Sequence, residues 1–394
     1  MISLGFELRE LLPLWQSLSS KRKKQFYFFQ FLNIAAGFAE IANLGSIFPF
    51  LTILSNPKEN INKLGIFSII LRKIPVDNLL LLLGIFFIFF IILSSYLRIK
   101  TLKFKNKLAS NITIDLSTSI YSIILERPYE WHIKNNSSKL LGNLTKDIDQ
   151  TYFIISEILV LAVNFIIALC ISCYLLITWS KLMIFLISFL VLTYLIIFIK
   201  SRNILYKAGK SISLNYEINL KNVQDSIAGI KDIIINKSYK FFRNSYLKSY
   251  SEYRNSVVTV SNLTQIPRYY FEAFVIILII LISIFLEFSG YKIYSQLPII
   301  GTITLGFYKL LPVFQSIFRS ISNIKSNMYS LSRLDSYLAD IKISKEKSNI
   351  LNDKNQYNNL YKFNDYKIRI DSLYFKYVNK KNVLNDINLT INQG

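Results

Sequence analysis

The chain has 394 residues, 52% of them hydrophobic and 15% aromatic, and its mean hydropathy is positive, which excludes an ordinary soluble enzyme of this length. A net charge of +22 would suit a nucleic-acid binder. Lys and Arg instead fall between apolar blocks, as in the cytoplasmic segments of membrane proteins, and nothing resembles a base-reading module, so no nucleic-acid partner is expected.

At the N-terminus, Leu4, Leu8, Leu11, Trp15 and Leu18 share one face, with Glu7, Arg9 and Glu10 opposite. This pattern predicts an interfacial helix within residues 1–20, which Pro13 should kink or restart. Lys21-Arg22-Lys23-Lys24 follows without a small-residue cleavage site, so no signal peptide is expected. A helix crosses a bilayer with about 20 apolar residues. Four runs meet that readily: Phe26–Leu54, Leu79–Leu97, Ile154–Thr178 and Leu182–Ile199. Tyr269–Phe288 carries Glu272, and Leu297–Phe318 is interrupted by Lys309.

Charge decides whether these last two also span. Lys and Arg number 5 in residues 1–25, 9 in 98–151, 12 in 200–268 and 14 in 309–394. Six spans put all of these segments, and both termini, on the cytoplasmic side. Four would leave two long apolar runs in a soluble domain. The expected fold class is therefore an all-α membrane protein with six long transmembrane helices and cytoplasmic extensions.

Between the spans, Pro57–Asp77 suggests a short amphipathic helix at the outer surface, and Ser180–Lys181 a tight turn between spans three and four. The segments after spans two and four lack Gly/Pro punctuation. Leu108, Ile112, Leu116, Ile120, Ile123 and Ile124 recur at helical spacing, so these segments read as helical hairpins reaching roughly 30–40 Å beyond the bilayer. Such arms suit a protein that takes mechanical input from a soluble partner. Cys170 and Cys173 lie in an apolar run without the polar setting of a redox or zinc site. His132 is the single histidine, so no metal centre is expected.

Residues 341–366 read as a linker, because the Asn- and Lys-rich stretch 345–364 has no hydrophobic period. Ile368, Ile370, Leu373, Phe375 and Tyr377 then suggest one strand, and Val383–Ile391 a second, within 367–394.

Along its whole length the chain resembles exporter-type ABC transporters. The first span, Ala39-Glu40-Ile41 through Phe48-Pro49-Phe50, is similar to a subgroup that includes flippases of lipid-linked oligosaccharides and polysaccharide-associated exporters. Tyr129-Glu130-Trp131-His132, followed by Lys139–Leu144 with Asp147 and Asp149, matches the family's first coupling-helix segment. The resemblance of Asp225–Asp232 to the segment after the second coupling helix places that helix near Ser211–Lys221, with Asn215, Tyr216 and Glu217. Gly306–Pro312 is similar to the subgroup's Arg-Leu-Leu-Pro motif, with Lys309 where Arg is usual, which keeps the charge but loses the planar fork. The final strands resemble the opening of an ABC nucleotide-binding domain.

The resemblance implies a half-transporter in the bacterial inner membrane that pairs with a second half, as homodimer or heterodimer, and moves a lipid-linked oligosaccharide or related amphipathic substrate. Peptide, lipid and drug exporters remain alternatives. A non-transporting scaffold subunit is another, and a lipid-modifying enzyme would need a carboxylate cluster such as Asp147 and Asp149. Tyr377 would stack on the adenine of ATP, bound with Mg. No GxxxxGK[ST] loop occurs, so this stretch of chain alone is not expected to hydrolyse ATP. Glu40, Arg268, Glu272 and Lys309 are the costly charges within or beside the spans. Arg268, Lys309 and Glu40 are the candidate substrate-cavity residues. The alternative is that Glu40 or Glu272 pairs with one of the cations and fixes helix packing.

Overall fold

A computed structural model describes residues 8–55, 76–178, 180–288, 293–350, 368–376 and 382–391. Contacts divide the chain into Met1–Ile343 and Ser344–Gly394. Among its described residues the first unit consists of helices joined by short turns. A short helix, α1 (Leu8–Ser17), continues through Pro13. The long helices are α2 (Ser20–Ser55) and α3 (Val76–Leu125). Two short helices, α4 (Tyr129–Lys134) and α5 (Ser137–Gly142), lead into a π-helical turn, Asn143–Asp147, and then α6 (Ile148–Thr178). Next come α7 (Ser180–Ala228), the six-residue α8 (Ile230–Ile235), α9 (Tyr239–Phe288), α10 (Ile293–Ser332) and α11 (Asp335–Ile350).

The six long helices match the six expected spans plus their extensions. Among the described residues, three carry a window long and apolar enough to cross a membrane by composition alone, within Leu80–Leu125, Ser137–Ile177 and Ile187–Ala228. In α3, Leu81, Ile85, Ile88, Phe89 and Ile92 all point outward, as expected of a span facing lipid rather than a protein core. Farther along, the same helix becomes one-sided: Leu108, Ile112, Leu116, Ile120 and Ile124 are buried. These positions belong to a cluster with Phe29, Ile154, Leu159, Ile324, Met328 and Leu338, and it holds together the end of the bundle that carries the two hairpins. A second cluster, around Leu44, Ile171, Leu175, Tyr194, Phe271, Leu310 and Phe318, lies at span level.

The helix α10 is the common neighbour, packing against α2, α6, α7 and α9. At its crossing with α7, a Cβ on Gly209 would fall 1.6 Å from the Ser326 carbonyl oxygen. Only glycine admits that crossing. Cys170 packs in a similar way: its Sγ would sit 2.9 Å from a Cβ on Gly37.

Two local expectations change, and of the two outcomes expected at Pro13 the restart does not occur. The short helix placed near Ser211–Lys221 is not a separate element, because those residues lie inside α7, where nothing breaks the helix before Gly229. The turn of the second hairpin instead carries α8, and Lys237 adopts φ 53° beyond it. Pro13 does not restart α1. The stretch read as linker is helical as far as Ile350, since α11 continues the packing of Leu338 and Ile341 against the hairpin-end core. The expected outer-surface helix falls largely on residues outside those described.

In the second unit, β1 (Ile368–Lys376) and β2 (Asn382–Ile391) form an antiparallel pair, with Ile368 opposite Ile391 and Ile370 opposite Leu389. Register shifts follow between Ile370 and Lys376, and Ser372 and Asp386 take positive φ. The two expected strands are thus present. Tyr377 lies outside the described residues.

Candidate functional site

The Glu-then-Pro helix α2 turns Glu40 into the bundle, where the side chain is 1% exposed. An unpaired carboxylate there would be costly. Three groups compensate it. Ser94 Oγ of α3 donates to Oε2 at 2.7 Å, Arg98 Nε lies 3.3 Å from the same oxygen, and Lys309 Nζ of α10 lies 2.9 Å from Oε1. Lys309 and Glu40 are therefore direct partners. Arg268 is not part of this group. It pairs along its own helix with Glu272 at 2.5 Å.

Both cations nevertheless face one space. A cavity of 690 Å³, within the usual range for ligand sites, is bounded by α2, α3, α6, α9 and α10. Its wall carries five basic side chains, Arg98, Lys105, Arg268, Lys309 and Arg319, and no acidic one. Asn164, Gln315, Ser316 and Thr101 add polar edges, and the exposed ring of Tyr308 flanks Lys309. Behind the wall, Glu157 accepts from Ser320 Oγ at 2.6 Å and Asn323 Nδ2 at 2.7 Å, and its charge acts on Lys105. Counted together with three neighbouring carboxylates outside the wall, Glu40, Glu157 and Glu272, the five cations give the region a net charge of about +2 at neutral pH.

Sequence reasoning named Lys309, Arg268 and Glu40 but missed Arg98, Lys105 and Arg319. The signal was present as spacing. Arg98 and Lys105 are seven residues apart, with Thr101 between them, and Lys309, Ser316 and Arg319 follow one another at spacings of seven and three, which also keeps them on one helix face. Those positions were instead read as the basic flanks of spans.

The candidate coupling residues separate into two environments. In α4, no residue is buried and Tyr129 is 79% exposed; Glu130 pairs with Lys134 at 2.7 Å. Trp131 packs partly on the hairpin-end core and stacks edge-on with His132. Arg127, just before α4, pairs with Asp340 of α11. The tip is thus an exposed short helix held by its ends.

Asn215, Tyr216 and Glu217 lie inside the bundle end instead. Asn215 donates to the Ser211 carbonyl at 3.1 Å, and Tyr216 lies under the Lys146 ammonium. Glu217 and Asp147 meet at Arg333, which follows α10. Arg333 Nε lies 3.1 Å from Asp147 Oδ2, and Nη2 lies 2.8 Å from Glu217 Oε2. Arg333 also donates to Asn143 Oδ1 at 3.2 Å and Ser213 Oγ at 3.4 Å, and Ser213 Oγ donates to Asp147 Oδ1 at 3.2 Å. Asp147 is 2% exposed and lies beyond the end of the third span. Burial pushes its carboxyl pKa up, although Arg333, Ser330 and Ser213 pull the other way. One guanidinium thereby ties the π turn of the first hairpin, α7 of the second, and the end of α10. Arg333 itself was not singled out in the sequence, because a lone Arg after a helix has no periodic signature.

Residues 26–308 match the family profile of the ABC transporter transmembrane region, and the chain belongs to that family. It is accordingly a multi-pass membrane protein, the transmembrane subunit of an ABC exporter. No curated protein sequence matches the chain closely enough to count as a relative.

Proposed function

We propose that this chain forms half of a flippase-type exporter for amphipathic substrates with a multiply charged anionic head, a lipid-linked oligosaccharide being the first choice. The carrying observation is the cavity wall with five cations and no carboxylate of its own. A diphosphate head brings the charge that the wall lacks, and basic groups in a partly dehydrated site bind such a head by charge-assisted hydrogen bonds. Glu40 has a second task in this reading. Its hold on Lys309 and Arg98 keeps both cations compact when no substrate is bound, and an arriving anion competes for them.

In the same reading the chain lies in a bacterial inner membrane with both ends cytoplasmic and pairs with a second half-transporter. ATP with Mg is bound by nucleotide domains, of which β1 and β2 are the opening, with Tyr377 against the adenine. A two-stranded sheet alone is marginal in water. Leu373, Phe375, Leu384 and Ile387 are exposed here, which supports further chain packing over it. The exposed α4 tip, with Tyr129, Glu130, Trp131 and His132, would dock on a nucleotide domain. Closure of two such domains would push on both hairpins and switch the cavity from one side to the other.

The test is transport of a fluorescent polyprenyl-diphosphate glycolipid by the intact transporter in proteoliposomes. Loss of a charged hydrogen bond costs about 1.5–3 kcal/mol, so Lys309→Ala should raise the half-saturating substrate concentration by roughly 10–100-fold, with Lys309→Arg close to wild type. Unchanged glycolipid transport by the Ala variant refutes the cavity reading. Transport of neutral and anionic substrates at equal rates would instead favour a peptide or drug exporter.

A further inference from the structure

A second concavity lies at the hairpin end, beside α1. Leu11, Trp15 and Leu18 form one wall and Ile112, Ile155 and Ile158 the other, and every residue lining it is apolar. Its volume is 140 Å³. An apolar recess of that size has room for a short hydrocarbon segment.

Its mouth is marked by two independent features. Trp15 stands edge-on to Phe26 at 5.2 Å, and the neighbouring Tyr27, Phe28 and Phe31 are exposed. Such an aromatic belt sits at the level of lipid headgroups. The groove therefore lies beside a run of aromatic residues of the kind found at headgroup level.

The second feature is charge. Lys21, Arg22, Lys23 and Lys24 start α2 next to the groove, and Lys23 Nζ lies 5.8 Å from the centre of the Trp15 ring. Arg22 is already neutralised by Asp115, with bonds of 2.8 and 3.1 Å. Among the described residues, none of the ion pairs involves Lys21, Lys23 or Lys24. Three ammonium groups without carboxylate partners thus lie on the first turn of α2, and Lys23 is over the Trp15 ring that walls the slot.

We propose that this groove binds one anionic phospholipid of the surrounding leaflet, with part of an acyl chain between α1 and α6 and the headgroup phosphate on Lys21, Lys23 and Lys24. The site is separate from the substrate cavity, and the proposal does not depend on what is transported. A merely basic helix end attracts any anionic surface without a defined stoichiometry. A built site takes one lipid, saturates, and depends on the slot as well as the charge.

Native mass spectrometry of the delipidated full chain, titrated with phosphatidylglycerol, phosphatidylcholine or inorganic phosphate, separates these cases. One phosphatidylglycerol should bind saturably, at least tenfold tighter than phosphatidylcholine, while phosphate alone does not compete at millimolar concentration. Each lysine near an anionic lipid contributes about fivefold in affinity, so the triple variant Lys21→Gln, Lys23→Gln, Lys24→Gln should bind about 100-fold more weakly. Leu18→Trp, which fills the slot and leaves the charges, should also lose the saturable step. The surface triple variant keeps the test valid if Leu18→Trp fails to fold. Equal binding of both lipids, displacement by phosphate, or wild-type binding by the triple variant or by a folded Leu18→Trp chain would each overturn the proposal.

Discussion

Replacing Arg333 by Ala probes the junction of the two hairpins and α10. The substitution removes the guanidinium from two carboxylates, one of them 2% exposed, and from the Asn143 and Ser213 oxygens. Removing one partner of a buried pair costs about 3–5 kcal/mol, because the other charge stays buried and unpaired. Asp147 has an escape: burial already raises its pKa, so it can take up a proton, at about 1.4 kcal/mol per pH unit above that pKa. Glu217 remains partly solvated and contributes less. The expected loss at pH 7 is therefore about 3 kcal/mol, at the lower end of that range. Asp147→Asn keeps an oxygen for Arg333 and should cost about 1 kcal/mol. The double variant should be no less stable than Arg333→Ala alone, giving a coupling of at least about 1 kcal/mol. Titration with SDS in mixed micelles, followed by tryptophan fluorescence, measures all four chains. Additive losses within about 0.5 kcal/mol would show that Arg333 and Asp147 do not act together, and the argument for a three-way junction would fail.

Two glycines should respond in opposite directions in the same assay. Gly209→Ala drives a methyl group into the Ser326 carbonyl and should cost about 1–3 kcal/mol, whereas a methyl on Gly142 meets nothing within 4 Å, so Gly142→Ala should be neutral or stabilising by up to about 1 kcal/mol. Burial raises the Asp335 carboxyl above its ordinary 3.8, so the folded chain holds that proton more tightly than the unfolded one. The stability contribution of Asp335 is thus greatest on the acid side of 3.8 and is lost as pH rises through the raised folded value. Asp335→Asn should reduce that decline in a pH series of melting temperatures, and an unchanged slope would count against the burial argument.

The parts of the fold legible in the sequence were those governed by local periodicity. The run from Leu108 to Ile124 announced an arm buried on one side, and the structure buries the same stripe. The charge asymmetry of the loops separated six spans from four because basic flanks are a property of each segment. Partnerships across helices were not legible in this way. Glu40 could have met Lys309, Arg268 or neither, and the choice depends on the register of α2 against α10, which tertiary packing sets. Arg268 took the nearer solution, a partner four residues on along its own helix. The expectation of a separate helix near Ser211–Lys221 fails for a related reason. Within this 49-residue helix the basic residues from Lys200 onward mark the end of the bilayer part but not the start of the turn, so only the glycine at its far end could have located that turn.

The π turn at Asn143–Asp147 has a consequence for the first hairpin as a whole. A π turn holds one residue more than the α-helical turn it replaces. Since each residue in an α-helix advances the face by about 100°, that extra residue sets the rotational phase between α6 and everything before it. Deleting a single residue there would put α5 about 100° out of phase with α6 and set it against the anchorage of the Tyr129–Lys134 tip at Arg127 and Trp131, so the length of five residues decides whether both ends of the hairpin can be seated at once.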